Sequence, residues 1–300
     1  MKYLNLIRYR NLLFLALVQI LLKYSLFPKV HAETTLTNFG FFLLVIATLS
    51  IAAAGNIIND ILDVEIDKIN KPKTVLIGKK ISEKTANSLF IILNILGVTL
   101  GFYLANSIGK PSFAALFILI SALLYLYAAY LKGIFLIGNL LVSALVAISL
   151  LIVGLFELLP AISAENQFAQ RAVFIIVFHY ALFAFSLNFI REIVKDLEDI
   201  NGDKNGGMNT LAIALGRKRT MKIVFALGAI LTLGTVFYVY EYLYQLQIIV
   251  LYFLFAIIAP MLYFCIKAWE AETQSQFHFL SQLLKVIMFL GICSIPIFNL

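Results

Sequence analysis

Two sets of aspartates with identical spacing are the residues of this chain most able to do chemistry. They are Asp60, Asp63 and Asp67, in the pattern D-x-x-D-x-x-x-D, and Asp196, Asp199 and Asp203, which repeat it. Residues three and four apart share one face of a helix, so the carboxylates of each set are expected to face the same way. Carboxylate oxygens suit Mg²⁺, which usually bridges a few of them to a substrate's phosphates. Each set therefore predicts a magnesium–phosphate site, the plainer alternative being a solvated acidic loop.

Amide and cationic groups accompany both sets. Asn59 adds an amide to the helix face of Asp63 and Asp67, and that helix is predicted to stop at Asn70 and Pro72. Four lysines follow the first set and two cations precede the second: Lys71, Lys73, Lys79 and Lys80, then Arg191 and Lys195. Carboxylates beside cations suit a metal-bound polyanion, with the metal on the acids and the free phosphate oxygens on the cations.

The segment after the second set is predicted to turn and then form a short helix. Gly202, Gly206 and Gly207 permit sharp turns and a close approach of the backbone to a ligand, although plain turn-making accounts for most of them. Thr210 is predicted to cap a helix over 211–215, which Gly216 ends.

Other polar residues have strong structural explanations beside the functional one. Tyr127 and Lys132 lie at the end of an apolar stretch, where a belt of aromatic side chains and an interfacial lysine are common, yet Lys132 could contact a phosphate. Arg8 carries the same ambiguity. Asn139 and Asn188 lie within apolar stretches, where hydrogen bonds between helices are the commoner explanation for such residues.

The composition is that of an integral membrane protein made of helices. Hydrophobic residues make up 62% of the 300 residues and charged residues 13%, whereas a soluble domain carries about 25% charged residues. The two cysteines lie in apolar stretches and indicate neither a disulfide framework nor a metal site. The net charge is +7, but no basic patch stands apart from the membrane loops, so anionic lipid or a phosphorylated substrate is expected as partner rather than nucleic acid.

Nine apolar windows are long enough to cross a bilayer as helices. We therefore predict an all-α, polytopic membrane bundle of nine transmembrane helices, forming one domain over residues 1–300. The predicted spans are 11–27, 38–58, 85–105, 111–131, 134–155, 172–189, 223–240, 247–267 and 282–298.

The distribution of basic residues predicts the orientation. With nine spans, all of the 23 Lys and Arg residues except Lys23, Lys29, Lys110 and Arg171 fall on the side of the N-terminus, which is 19 of them. That side is expected to be cytoplasmic in a cell membrane, and both acidic sets lie there. A cleaved signal peptide ending near His31 is the alternative, disfavoured because Lys23 interrupts its apolar core.

The two acidic patterns together resemble the UbiA-type superfamily of intramembrane aromatic prenyltransferases, and the resemblance covers essentially the whole chain. The resemblance rests on Asn59, Asp63 and Asp67 in N-x-x-x-D-x-x-x-D, together with Asp196, Asp199 and Asp203 in D-x-x-D-x-x-x-D. The resemblance implies nine helices around a central cavity, whose cytoplasmic mouth binds a polyprenyl diphosphate through Mg²⁺ held between the two motifs. It also implies transfer of the prenyl group to a lipophilic acceptor.

Site roles follow from this resemblance by position. The catalytic carboxylates would be Asp63, Asp67, Asp199 and Asp203. The metal ligands would be these four with Asn59 and Asp196. The diphosphate-binding cations would be Lys132, Arg191, Lys195 and Lys73, and further substrate contacts would be Asp60, Tyr127, Arg8 and Asn139.

The second motif, from Arg191 to Leu211, is most similar to the branch that prenylates glycerol-phosphate ethers, the digeranylgeranylglyceryl phosphate synthases and their relatives. Two departures bear on this assignment. Thr74 stands where the superfamily usually has Arg, leaving Lys73 as a substitute, and Asn201 stands where this branch usually has Glu. An aromatic acceptor of quinone, chlorophyll or haem biosynthesis is the alternative within the superfamily. An ion-coupled transporter is the alternative of another class.

Overall fold

Long apolar helices make up most of the protein in a computed structural model, which describes residues 1–297. Within these residues no β-strand is present, and nine helices are long and apolar enough to cross a membrane, as predicted. These nine are α2 (Tyr9–Lys29), α3 (Asn38–Leu62), α5 (Glu83–Ser107), α6 (Pro111–Leu131), α7 (Ile137–Glu157), α8 (Gln167–Asn205), α10 (Arg217–Leu243), α11 (Gln247–Glu270) and α12 (Gln274–Ile297). Three short helices complete the series: α1 (Lys2–Leu6), α4 (Val64–Asn70) and α9 (Leu211–Leu215).

The helix ends differ from the predicted spans most at α8 and α12. The sixth span was predicted to end at residue 189, but α8 continues to Asn205, and the ninth was predicted to begin at residue 282, but α12 begins at Gln274. The predicted last residue of that span, Phe298, lies outside the described residues. Hydropathy marks where a helix is apolar, whereas its backbone hydrogen bonds continue through polar residues. A capping box between Thr273 and Gln276 fixes the true start of α12.

The chain divides into two compact units. Residues 1–132 and 147–181 form unit 1, and residues 133–146 together with the chain from Leu182 onwards form unit 2. Each of α7 and α8 contributes residues to both units, because two of the three division points of the chain, after residues 146 and 181, fall inside these helices. The prediction of one functional domain over residues 1–300 stays a prediction.

Close helix packing in unit 1 depends on glycines. A Cβ atom on Gly97 would lie 3.0 Å from the backbone oxygen of Ala47 on α3, and one on Gly101 would overlap the ring of Phe117 on α6. Phe117 in turn packs edge-on against Phe156 of α7, with 5.6 Å between ring centroids. Small residues let helix backbones approach closely, which is how transmembrane helices associate without a hydrophobic driving force between them.

A buried ion pair fastens the connection between α2 and α3 in unit 1. Lys23 Nζ lies 2.8 Å from Glu157 Oε2, and the two side chains are 7% and 0% exposed. The ammonium also donates to the backbone oxygen of Leu36, at 3.0 Å, and Glu157 Oε2 accepts from the backbone N–H of the same residue, at 3.1 Å. This pair therefore joins α2 and α7 to the connection between α2 and α3.

The outward faces of the long helices carry large apolar side chains. Phe39, Phe168, Ile230 and Phe255 are all more than half exposed. Large apolar side chains exposed in such number are unfavourable in water and favourable in lipid. The protein is therefore an integral membrane protein.

Candidate active site

The first acidic set lies at a break between two helices of unit 1. α3 ends at Leu62 and α4 begins at Val64, with Asp63 between them at φ −92° and ψ 2°. The amide of Asp63 still donates to the oxygen of Asn59, at 2.9 Å, and the amide of Asp67 to the oxygen of Asp63, at 2.8 Å. Successive turns of the backbone therefore keep the predicted spacing, and α4 stops at Asn70, as predicted.

Both carboxylate oxygens of Asp63 have partners in the chain. Lys132 Nζ forms an ion pair with Oδ1, and Asn59 Nδ2 donates to Oδ2 at 2.7 Å. Lys132 follows the π-helical turn that ends α6, where its amide donates to the oxygen of Tyr127 at 3.0 Å. The lysine expected to bind diphosphate and the aspartate expected to bind metal thus meet in unit 1, where each is only about one-seventh exposed (14% and 13%).

Arg8 brings a second cation to the same set. It joins α1 to α2 in the left-handed region, at φ 53°, and its Nη2 lies 2.7 Å from Asp60 Oδ1. Burial has the largest single effect and lowers the pKa of Arg8, but the neighbouring negative groups, led by Asp60, together outweigh it, so the pKa is raised above its ordinary value. Tyr127 and Asp67 act on the charge in the same direction. Arg8 therefore stays a cation at any physiological pH.

The stretch after α4 buries apolar residues in unit 1 and leaves Lys73 exposed. Ile77 and Ile81 are buried with Leu6 in one apolar cluster. Lys73 and Thr74 are exposed, and no ion pair within residues 1–297 joins Lys73 to a carboxylate. The structure thus does not place Lys73 with the acidic set, and its substitution for the missing Arg stays a prediction.

The second acidic set lies on α8 itself. The helix has 39 residues and at 1.5 Å per residue spans about 58 Å, roughly twice the hydrocarbon thickness of a bilayer. The sharp turn predicted at Gly202 was wrong, because this residue is helical; the chain turns at Gly207, with φ 72°. The predicted helix over 211–215 is confirmed, and it ends at Gly216 with φ 77°.

Asp196 is held by a buried polar chain in unit 2. Asn139 Nδ2 donates to Asp196 Oδ2 at 2.9 Å. Ser143 Oγ donates to the oxygen of Asn139 at 2.6 Å and accepts from Asn188 Nδ2 at 3.2 Å. Asn188 thus forms the predicted hydrogen bond between helices. Asn139 donates a hydrogen bond to a carboxylate of the second acidic set. The sequence named Asn139 as a possible substrate contact and did not predict this hydrogen bond.

A carboxylate missed in the sequence joins the two cations of unit 2. Glu192 Oε1 lies 3.1 Å from Arg191 Nη1, and Oε2 lies 2.7 Å from Lys195 Nζ. Glu192 is 7% exposed, and Asp203, farther along α8, is 8% exposed. The spacing R-E-x-x-K could have revealed this arrangement, since residues three apart on a helix are neighbours.

The donor types at both sets fit Mg²⁺. No group of three or more His, Cys, Asp or Glu side chains within the described part of the chain is placed to hold a metal alone. Mg²⁺ does not require such a group, because it is usually held by one or two carboxylates plus substrate phosphates, not by a cage made only of protein. The assignment of individual ligands stays a prediction.

Comparison with known proteins gives concordant matches. Residues 12–291 match the model of the UbiA prenyltransferase family. The digeranylgeranylglyceryl phosphate synthase of Saccharolobus solfataricus is 36% identical over 224 residues, which cover 73% of each chain.

Two solved structures share the fold. One is of a digeranylgeranylglyceryl phosphate synthase, with a TM-score of 0.65 and 24% identity, covering 99% of this chain and 96% of the other. The second is a UbiA homolog from Archaeoglobus fulgidus bound to DMAPP and Mg²⁺, with a TM-score of 0.59 and 16% identity, covering 99% and 100% of the two chains.

Proposed function

The chain belongs to the UbiA prenyltransferase family, and on that premise we propose that it transfers a geranylgeranyl group from its diphosphate to a prenylated glycerol phosphate, with Mg²⁺ as cofactor. The proposed identity of the acceptor is supported by the similarity to the digeranylgeranylglyceryl phosphate synthase of Saccharolobus solfataricus over most of both chains. The cofactor is supported by the homolog bound to DMAPP and Mg²⁺ and by the oxygen donors of both acidic sets.

Stabilisation of the leaving diphosphate is the main task of the site. The bound metal would neutralise negative charge that develops on the diphosphate as the allylic C–O bond breaks. Asn59, Asp63 and Asp67 are proposed as the metal ligands of unit 1, and Asp196, Asp199 and Asp203 as those of unit 2. Cations already fixed in place stabilise such charge best, because they need not reorganise during the reaction.

The diphosphate-binding cations are proposed to be Arg8 and Lys132 in unit 1 and Arg191 and Lys195 in unit 2. Each lies in an ion pair with a carboxylate of its own unit. Phosphate oxygens would take over some of these contacts when the substrate binds, as charge-assisted hydrogen bonds.

Apolar surroundings serve the prenyl group. The allylic cation that forms as diphosphate leaves would react with water, so a site that excludes water protects it. The acceptor hydroxyl oxygen attacks C1 and forms the new ether bond, the diphosphate leaves with the electron pair of the broken bond, and a carboxylate of the acidic sets takes the hydroxyl proton.

The acidic sets are proposed to face the cytoplasm, with the protein in the cell membrane and surrounded by lipid. The distribution of Lys and Arg supports this orientation. Labelling of cysteines introduced singly in the connections at Lys68 and at Lys110 would test it. Only the Lys68→Cys variant should react with an impermeant reagent added from the cytoplasmic side, and the reverse pattern would contradict the proposed orientation.

Turnover assays would test the reaction and the acceptor separately. The purified protein is given geranylgeranyl diphosphate, Mg²⁺ and one acceptor at a time from a panel of a prenylated glycerol phosphate, hydroxybenzoate, dihydroxynaphthoate and haem. We expect diphosphate release with the glycerol phosphate and an ether product by mass spectrometry. Alkylation of an aromatic acceptor alone would contradict the proposed acceptor. Absence of release with every acceptor would contradict prenyl transfer and favour the transporter.

A further inference from the structure

Glu192 is a buried carboxylate to which the proposed reaction gives no role. It lies on α8, next to Arg191 and almost one turn before Lys195, and is 7% exposed. Each of its oxygens serves a different cation, Oε1 at 3.1 Å from Arg191 Nη1 and Oε2 at 2.7 Å from Lys195 Nζ. One carboxylate thus bridges the two cations of unit 2 that are proposed to bind diphosphate.

Both cations keep donors that Glu192 does not use. The Nε atom of Arg191 is buried and has no hydrogen-bond partner within residues 1–297. A guanidinium has five N–H donors and an ammonium three, so one contact with Glu192 leaves most of them for a ligand. A buried donor without a partner is unfavourable in the free protein, and a phosphate oxygen would satisfy it.

We propose that Glu192 is a positioning residue, which holds Arg191 and Lys195 side by side in the orientation that receives the diphosphate. The inference rests on the proposed function, since it names a determinant of substrate binding at the same site. Glu192 acts through the two cations and need not touch the substrate.

Two physical effects of this carboxylate oppose each other. Its negative charge lowers the positive potential that attracts a diphosphate. Its two contacts restrict long, flexible side chains, which otherwise lose conformational freedom when the ligand binds. The positioning effect outweighs the loss of positive potential, because Arg191, Lys195 and Glu192 together still carry a net positive charge that attracts the diphosphate. Without the bridge, the like charges of Arg191 and Lys195, about one helical turn apart, would repel each other and separate.

The Glu192→Gln variant tests this role, with magnesium pyrophosphate as the probe. Because two side chains lose their order in the free state, we expect pyrophosphate to bind about tenfold more weakly in calorimetry. The KM for geranylgeranyl diphosphate should rise by a similar factor. The kcat should change little, because the bound diphosphate restores the positions of the cations. Glu198→Gln is the matched control: it removes the same charge from α8, but Glu198 pairs with His278, at 2.9 Å.

Two further variants keep the inference testable if Glu192→Gln folds poorly. Glu192→Asp keeps the charge but is one methylene shorter, so it can reach only one cation, and its KM should lie between those of the wild type and Glu192→Gln. In a Lys195→Gln background, Glu192→Gln should weaken pyrophosphate binding by a smaller factor than in the wild type, since one of the two positioned cations is already absent.

The results that would overturn the role of Glu192 differ from the result that would contradict the proposed function. Tighter pyrophosphate binding by Glu192→Gln would overturn the inference, because it would identify the carboxylate as a competitor of the substrate. Equal effects of Glu192→Gln and Glu198→Gln would overturn it as well, by reducing the role to general charge. In both cases the wild type would still bind pyrophosphate and turn over. A wild type that does neither would instead contradict the proposed function.

Discussion

The buried pair of Lys23 and Glu157 provides the sharpest test of how unit 1 is stabilised. Replacing Lys23 with Met keeps most of the side-chain volume and removes the ammonium. Glu157 Oε1 has no hydrogen-bond partner within residues 1–297, and Oε2 would keep only the backbone N–H of Leu36. The variant would therefore leave a carboxylate in an apolar interior with one hydrogen bond.

The expected loss follows from the geometry. At the 2.8 Å separation, with an effective dielectric constant near 20, the Coulomb attraction is about 6 kcal/mol, and desolvation of both ions offsets much of it. Removing one partner of a buried pair typically costs about 3–5 kcal/mol, because the other charge stays buried. We expect Lys23→Met to lower the midpoint of thermal unfolding by roughly 10 °C.

The double variant Lys23→Met/Glu157→Leu tests whether the loss of stability comes from the unpaired carboxylate of Glu157. Replacement of a whole buried pair with apolar residues is often neutral, so its midpoint should return close to that of the wild type. Unfolding would be followed by circular dichroism in detergent. Lys68→Met is the control, because Lys68 pairs with Glu65 at 2.6 Å but both side chains are at least half exposed, and its midpoint should hardly change. A Lys23→Met protein as stable as Lys68→Met, or a double variant less stable than the single one, would refute the reasoning.

Three further predictions concern the metal, the acidic sets and helix packing. Chelation by EDTA should stop diphosphate release and added Mg²⁺ should restore it; release that persists in EDTA would contradict the cofactor. Asp63→Ala and Asp199→Ala should each abolish turnover while eluting as the wild type does in size-exclusion chromatography, and full activity in both would contradict the metal assignment. Gly101→Ala should cost about 1–3 kcal/mol of stability by overlap with Phe117. Gly234→Ala is the control and should leave stability unchanged, because the space around its Cβ position is open. Equal midpoints of thermal unfolding for the Gly101→Ala and Gly234→Ala variants would contradict this prediction.

The spans could be predicted from the sequence because the bilayer imposes their length and apolar character. Their ends could not. α8 runs on through the second acidic set, since polar residues continue its backbone hydrogen bonds as well as apolar ones do. The break at Asp63 was also missed, because the chain keeps a helical course through it and the spacing of acidic residues is the same with or without it.

The site was predictable in its residue types but not in its pairings. Spacing along a helix identified both acidic sets, whereas the contact of Lys132 with Asp63 joins residues 69 positions apart and depends on tertiary structure. Glu192 was overlooked for another reason. Its neighbours Arg191 and Lys195 were interpreted as substrate ligands, and the carboxylate that holds them was not counted with the D-x-x-D-x-x-x-D pattern, although R-E-x-x-K was visible.

The ion pairs of the two units explain how a membrane protein can keep so many carboxylates close to apolar helices. In unit 1, Arg8 and Lys132 neutralise two of the three aspartates of the first set. In unit 2, Asn139 supplies a hydrogen bond to Asp196, while Glu192 neutralises one of the two neighbouring cations. Unpaired charges so placed would destabilise the free protein. In the proposed reaction, a metal–diphosphate complex would bring both signs of charge, with the metal for carboxylates and the phosphate oxygens for cations, and so could replace partners within these internal pairs.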